Sequence, residues 1–466
     1  MKHLPHLPLY TDYYQLSMAR GYRQNSKEDQ NAVFNYFFRD LPFDGGYVIF
    51  AGLHNFLHLI RHYHFDEKSL NYLSQQGFDD DFLEYLSNME LSVNVESVQE
   101  GQIVFPGEPL VTVSGPLLQC QLLETVLLNQ MNYQSLIATK AARIKYASGS
   151  RKVMDFGLRR AQGLGGIQAS RAGFIGGLEA TSNVWAAKEY DIPPGGTIAH
   201  SWIQSFESEL EAFRQYAFRN PDSTTLLVDT YDTLGSGIPN AIKVGKELEE
   251  KGHRLVAIRL DSGDPVQLTK KARKMLDEAG LEYVKIALSD QLDEYVIADL
   301  LDSGAPIDLF GVGTRLVTGH ESPALDGVYK MCEIDGRPTS KRSDDPAKET
   351  LPGRKKILRL YDSAGEYSGD IICLNDEADK LIDGAIAPAD IAENLPDFTD
   401  FQLVTHNVCS NGDCGTDWDQ AITMLRQTAQ NELKRLPGRF KRLKKPERYP
   451  VWVSKGIQDQ ISQMKI

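Results

Sequence analysis

No stretch of the sequence approaches the apolar length that a membrane-crossing helix needs, which excludes a helical membrane span. Met1-Lys2-His3-Leu4-Pro5 has no apolar core of the kind a secretory signal carries, so the cytoplasm is the expected compartment. Cysteine is scarce, with five residues that are odd in number and mostly scattered. Only Cys409 and Cys414 are close, and with His406 alone nearby they lack the spacing of a zinc site. Reduced surface thiols are the expectation for that pair. Positive charge is also in deficit: the formal net charge of −14 argues against nucleic acid or an anionic membrane as the main partner. It leaves room for a local basic pocket. There is no Walker-A pattern, which excludes a P-loop ATPase. Internal repeats and low-complexity tracts are absent.

What remains is ordinary globular material, 41% hydrophobic and 24% charged, and at 466 residues too long for one simple core. In the first hundred residues, Val33-Phe34-Asn35-Tyr36-Phe37-Phe38 and Gly45-Gly46-Tyr47-Val48-Ile49-Phe50-Ala51-Gly52 read as a paired set of strands. Helical spacing follows over 53–61 and 78–86, and a Gly/Pro-punctuated β layer over 93–113. A long helical run occupies 117–147. After it the texture becomes regular. Short strands are expected at 153–157, 197–200, 225–229, 255–259, 283–288 and 307–311. Helices are expected at 172–188, 241–250, 265–278 and 292–301. Alternation at intervals of roughly thirty residues indicates a parallel α/β barrel or an open doubly wound sheet. Asp344-Asp345-Pro346-Ala347-Lys348 reads as a polar connection, after which strands resume at 357–361 and 371–373. An amphipathic helix at 418–436 closes the pattern. The basic run at 439–445 is interleaved with Phe440 and Leu443, which points to a docked surface tail rather than a nucleic-acid site.

The residues that follow each strand favour the barrel. They are Arg159-Arg160, His200, Asp229-Thr230-Tyr231-Asp232, Arg259 with Asp261-Ser262-Gly263-Asp264, Ser289-Asp290, and Gly311-Val312-Gly313-Thr314-Arg315. Asp and Gly are common in any turn, yet six polar clusters in phase would converge on one face of a barrel. The Gly195-Gly196-Thr197-Ile198-Ala199-His200-Ser201-Trp202 stretch reads as a loop tightening into a strand that presents His200 there. A lone histidine is more often a packed one. Arginines suit a diphosphate or a carboxylate, and Gly/Ser/Thr turns with free N–H groups suit a phosphate. Asp229 and Asp261 suit ribose hydroxyls or Mg²⁺. The residues by themselves therefore point to a phosphosugar handled on a barrel.

Longer motifs carry a resemblance. Thr11-Asp12-Tyr13-Tyr14-Gln15-Leu16, Phe37-Phe38-Arg39 with Gly45-Gly46-Tyr47, and Asp155-Phe156-Gly157-Leu158-Arg159-Arg160 are three of them. Gly196-Thr197-Ile198-Ala199-His200-Ser201-Trp202, Arg259-Leu260-Asp261-Ser262-Gly263-Asp264, Phe310-Gly311-Val312-Gly313-Thr314 and Pro352-Gly353-Arg354-Lys355 complete the set. Together they resemble the nicotinate phosphoribosyltransferases, in the same order, from residue 10 to about 451. The resemblance implies an incomplete TIM-like α/β barrel of the type II phosphoribosyltransferase kind over 126–359. It also implies a flanking α+β domain built from 1–125 with 360–466, and a homodimer with shared active sites.

The reaction it implies joins nicotinate to phosphoribosyl diphosphate, with Mg²⁺, and couples ATP hydrolysis through a phosphorylated histidine in NAD salvage. His200 matches that histidine, whose imidazole can accept a phosphoryl group. Phe156 matches an aromatic stacked on the pyridine ring, and Tyr14 its counterpart from the second subunit. Arg159 and Arg259 match contacts to nicotinate and phosphoribosyl groups, in an order the residues leave open. Asp261, with Asp229, would meet ribose hydroxyls or Mg²⁺. Ser289, Gly313 and Thr314 would cradle the 5′-phosphate, and Arg39 and Lys140 are candidates for diphosphate. Ser182 stands where the related nicotinamide enzymes carry aspartate, and a neutral hydroxyl there favours an acid over an amide. It sits within a stretch expected to be helical.

Overall fold

A computed structural model describes residues 6–341, 349–416 and 418–464. The expected connection at 344–348 and the residues at 1–5 lie outside them. The chain divides into two compact units, 137–323 and 1–136 with 324–466.

In the 137–323 unit the regular texture becomes one parallel sheet. Its strands are β1 (Lys152–Asp155), β2 (Ala180–Thr181), β3 (Thr225–Leu227), β4 (Ala257–Leu260), β5 (Lys285–Ser289) and β6 (Leu309–Val312), in the order β2-β1-β6-β5-β4-β3. All five pairings are parallel. The β-branched and apolar runs dictate this arrangement, because parallel strands are covered on both faces. Val153, Ile258, Leu260, Ile286 and Val312 are fully buried. Between the strands run α1 (Gly165–Ile175), α2 (Val184–Tyr190), α3 (His200–Gln204), α4 (Glu209–Arg219), α5 (Ile238–Glu250), α6 (Pro265–Glu278) and α7 (Glu294–Asp302), and α8 (Thr314–Val317) follows β6. Side-chain caps set several of their starts. Asn183 accepts from the Ala186 N–H, Asp264 from Val266 and Gln267, and Asp293 from Tyr295 and Val296.

Two expectations in this unit are corrected. The helix expected over 172–188 is broken, since α1 ends at Gly176-Gly177, with Gly177 at φ +114°, a conformation that favours glycine. β2 and the Asn183 cap then restart the chain as α2. The second correction is the strand expected at 197–200, which does not form. Pro194 makes a single parallel bridge to Thr181, and the chain then runs irregularly to His200, the first residue of α3. Pro193 and Pro194 have no N–H to donate to a ladder, and Gly195-Gly196 weakens any strand beyond them. The barrel is therefore incomplete between β2 and β3, and the gap lies beside the site.

In the other unit an antiparallel six-stranded sheet interleaves both chain ends. Its order is Arg337–Pro338, Gly327–Ile334, Asn31–Phe38, Val111–Pro116, Asn94–Val98 and Thr405–Cys409. Residues 324–359, expected in the barrel, thus belong here, because Gly327–Ile334 pairs with Asn31–Phe38 along its length. Nor does 33–38 pair with 45–52 as expected: Val48–Ile49 pairs with Ile103–Val104. The strands expected at 357–361 and 371–373 form as Lys355–Tyr361 and Tyr367–Leu374, in a second sheet with Asp400–Leu403 and Val451–Val453. The helix expected at 418–436 is Ile422–Arg435, and it is not the last, since Lys455–Met464 follows. Phe440 is buried within the basic run.

The cysteine expectation also fails. Cys409 and Cys414 are buried and joined as a disulfide. The loop between them folds back on itself through a Ser410–Asp413 bridge, with Asn411 and Gly412 at positive φ, and this brings the two sulfurs together.

Candidate active site

The C-terminal ends of the parallel strands carry the polar clusters, and the fold brings most of them into one network. Arg259, in β4, is its centre. Its Nε donates to Ser289 Oγ at 2.8 Å, Nη1 to Thr197 Oγ1 at 2.8 Å, and Nη2 to Asp261 Oδ1 at 2.7 Å. One guanidinium thus ties the end of β5, the loop after β4 and the irregular segment that fills the barrel's gap. The Ser289 hydroxyl also donates to Asp261 Oδ1. Burial alone would raise the Asp261 carboxyl, but the Ser289 hydroxyl and the Arg259 charge outweigh it and hold its pKa below the ordinary value.

Asp229, just past β3, accepts at Oδ2 from the Asp261 N–H and the Ser262 hydroxyl, both at 2.7 Å. Its Oδ1 is buried and has no hydrogen-bond partner among the described residues. A buried carboxylate oxygen left this way is costly unless a ligand meets it. His200 stands beside the pair. Its Nδ1 lies 3.1 Å from Thr230 Oγ1 and its Nε2 3.9 Å from Asp261 Oδ2, and 40% of its side chain remains exposed.

Phe156 follows β1, and its N–H bonds to the Val312 carbonyl of β6 at 2.7 Å. The Arg259 guanidinium carbon sits 5.4 Å from the Phe156 ring centre. Phe156, Arg159, Ser182, Thr197 and Arg259 line one open cavity of about 280 Å³. Behind it Asp155 is a buried hub. Its Oδ2 accepts from Ser170 and Thr181 hydroxyls, its Oδ1 from the Gly157 N–H, and its backbone carbonyl from the Ser182 N–H. Burial raises the Asp155 carboxyl, with those donors opposing the shift. Ser182 therefore sits in the loop between β2 and α2, fixed by its backbone, and not on a helix.

Gly311 is needed where the Phe156 ring lies, because a Cβ there would come within 2.4 Å of it. Gly311→Ala is expected to push the ring into the cavity at a cost of about 1–3 kcal/mol. Calorimetric titration with a flat aromatic acid would show this as weakened binding in the cavity; unchanged affinity would mean the ring gives way freely.

Not every expected residue joins. Tyr14 lies on the helix Tyr13–Gln24 of the other unit, 49% exposed. Arg39 is in that unit too. Lys140 is fully buried and paired with Glu294 at 2.8 Å, which withdraws it from any diphosphate. Gly313 and Thr314 lie at the exit of β6, at the start of α8. Thr197, Thr230, Gly311 and Asp155 had no role assigned from the sequence. Their parts depend on which loops meet, and no spacing rule encodes that.

A cavity of about 350 Å³ in the other unit is larger, but Glu100, His406 and Asp413 line it and no arginine or lysine does among the described residues, so it does not suit an anion.

Known proteins match this chain along its length. The model of the nicotinate phosphoribosyltransferase family matches residues 151–380, and those of its N-terminal and C-terminal domains match 9–132 and 354–461. The nicotinate phosphoribosyltransferase of Bacillus subtilis is 42% identical over 96% of this chain and 93% of its own. The chain belongs to the nicotinate phosphoribosyltransferase family. The human nicotinate phosphoribosyltransferase is 33% identical over 97% of this chain and 95% of its own. In the solved structures, human nicotinic acid phosphoribosyltransferase superposes with a TM-score of 0.85 at 30% identity, over 97% of this chain and 99% of that one. A nicotinate-nucleotide pyrophosphorylase from Pyrococcus furiosus, at 22% identity and a TM-score of 0.72, over 93% of this chain and 97% of that one, shares the fold. The α/β half-barrel with a further unit from both chain ends is thus the fold of this family. Among the described residues no helix is long and apolar enough to cross a membrane.

Proposed function

We propose that this chain joins nicotinate to phosphoribosyl diphosphate, giving nicotinate mononucleotide and diphosphate, and couples the reaction to ATP hydrolysis through a phosphohistidine at His200. The observation that carries the reading is the single cavity that holds an aromatic face, two arginines and a neutral serine beside a carboxylate–hydroxyl cluster. Phe156 stacks on the pyridine ring. Arg259 has most of its donors engaged by Ser289, Thr197 and Asp261, whereas Arg159 is exposed at the cavity, so Arg159 is assigned to the mobile carboxylate. Asp261 and Asp229 face the ribose, and Ser289, Gly313 and Thr314 take the 5′-phosphate.

The pyridine nitrogen attacks the anomeric carbon as the bond to diphosphate breaks. No general base is required, since the ring nitrogen's lone pair is already free. Charge grows on the leaving diphosphate, and fixed cations stabilise it. Mg²⁺, when bound, supplies further neutralisation of that charge. Its fit is limited but real. Among the described residues Asp229 Oδ1 is a hard oxygen without a partner, while no group of three acidic, histidine or cysteine residues is placed to hold a metal. Such a site suits a Mg²⁺ that arrives with phosphates and water as its other ligands.

ATP as co-substrate, a homodimer with shared sites, and cytoplasmic residence belong to the same proposal; nucleic acid and membranes do not. Labelled nicotinate, phosphoribosyl diphosphate and ATP should yield labelled nicotinate mononucleotide. Product from nicotinamide or quinolinate instead would replace the substrate, and no product at all would leave only a binding protein.

Sharing between subunits has its own test. Tyr13, Tyr14 and Met18 leave large apolar side chains exposed on one helix, a surface that a second copy would cover. Tyr14→Ala and Phe156→Ala chains, each inactive alone, should regain part of the activity when mixed, because some hybrid dimers hold one intact site. No recovery after verified subunit exchange would place both residues in one subunit's site.

A further inference from the structure

The turn between β5 and α7 is unusual. Asp290 and Gln291 both have positive φ, 87° and 42°, and neither is glycine. Side chains rarely adopt such a conformation twice in succession, and it persists only where the surroundings impose it. At its start, Ser289 is held by Arg259 and Asp261. At its end stands Asp293, which is 2% exposed. Its Oδ1 accepts the Tyr295 and Val296 N–H groups at 3.0 and 2.9 Å, and its Oδ2 accepts from Arg315 Nη1 at 2.5 Å. The next residue, Glu294, is fully buried and pairs with Lys140 and Arg143, each at 2.8 Å. Arg315 directly follows Gly313-Thr314 at the exit of β6. A single carboxylate thus caps α7 with one oxygen and pins the first turn of α8 with the other. Burial alone would raise the Asp293 carboxyl, but the Val296 N–H, then Arg315 and the Lys140 charge, outweigh it and hold it below the ordinary value.

We infer that Asp293 is a positioning residue, which sets through Arg315 the relative place of Ser289 and Gly313-Thr314 and so shapes the cradle for a sugar phosphate. This rests on the phosphoribosyl reading above. Asp293 itself touches no substrate in this scheme. Its role divides cleanly from that of the nicotinate cavity, which neither Asp293 nor Arg315 lines.

Asp293→Asn keeps a cap acceptor and removes the charge that holds Arg315. It should raise KM for phosphoribosyl diphosphate by about tenfold, as for residues acting through a neighbour, and leave KM for nicotinate within twofold. Arg315→Gln should give the same split, and the double variant should be no worse than either alone, since both remove one contact. Arg315→Lys should recover part of the loss. Thermal denaturation of each variant identifies any that unfold, and Arg315→Gln then carries the test, because Arg315 is only half-buried. Equal shifts in both KM values, no shift in either, or additive losses in the double variant would overturn the inference. A wild-type chain that turns over no phosphoribosyl diphosphate would instead remove the proposed function, and that result is read before any variant is made.

Discussion

A His200→Ala chain is expected to keep its fold and bind nicotinate while hydrolysing no ATP in step with transfer. The histidine opens α3 with 40% of its side chain exposed, so its removal leaves no cavity in a core. It does not line the cavity formed by Phe156, Ser182 and the arginines. Its two nitrogens face different partners, Thr230 at 3.1 Å and Asp261 at 3.9 Å. An imidazole held at one nitrogen and open at the other can take a phosphoryl group from ATP, and transfer of that group to water then completes the hydrolysis. Because His200 is not the nucleophile toward ribose, slow transfer without ATP should survive. ADP released per nicotinate mononucleotide should fall from a fixed ratio to background. The wild type incubated with labelled ATP should carry acid-labile, base-stable phosphate, and the variant none. Undiminished label on His200→Ala would assign the phosphoryl group elsewhere.

Ser182→Asp should lower catalytic efficiency toward nicotinate by roughly 2–5 kcal/mol, the range for a charge left facing the wrong partner. Ser182 lines the same cavity as Arg159 and Arg259, and the bond from its N–H to the Asp155 carbonyl fixes where its side chain projects. An added carboxylate would repel the nicotinate carboxylate. It would also draw on the positive charge of the two arginines, so the acid loses attraction and gains repulsion together. The amide has no charge to repel and can donate its NH₂, so efficiency toward nicotinamide should hold or rise slightly. Full rescue is not expected, since one contact rarely rebuilds a site. Steady-state kinetics with both substrates decide the matter: equal losses would make Ser182 structural and leave acid preference to the arginines.

The sequence by itself determined the parallel α/β unit, because its strands are short buried apolar runs separated by amphipathic helices, and both signals are local. β4, β5 and β6 and the helices α5, α6 and α7 lie where their patterns put them. The clusters at the strand ends were legible for the same reason, as was the polarity that excludes a membrane helix. Local pattern misled at 172–188, where a Gly-Gly break and the Asn183 cap overrode helical composition, and at 197–200, where pairing stops at the one Pro194–Thr181 bridge and the chain beyond Gly195-Gly196 runs irregularly. Tertiary structure alone decided three things. It chose the partners of Asn31–Phe38, two strands from distant parts of the chain, since register across separations from 75 residues (Tyr36 to Val111) to 302 (Ala32 to Ile334) has no local signal. It closed Cys409 onto Cys414. And it decided what Arg259 does: whether a guanidinium at a strand end meets solvent or joins Thr197, Asp261 and Ser289 depends on three loops separated by up to 92 residues of chain, brought together only when the half-barrel curls.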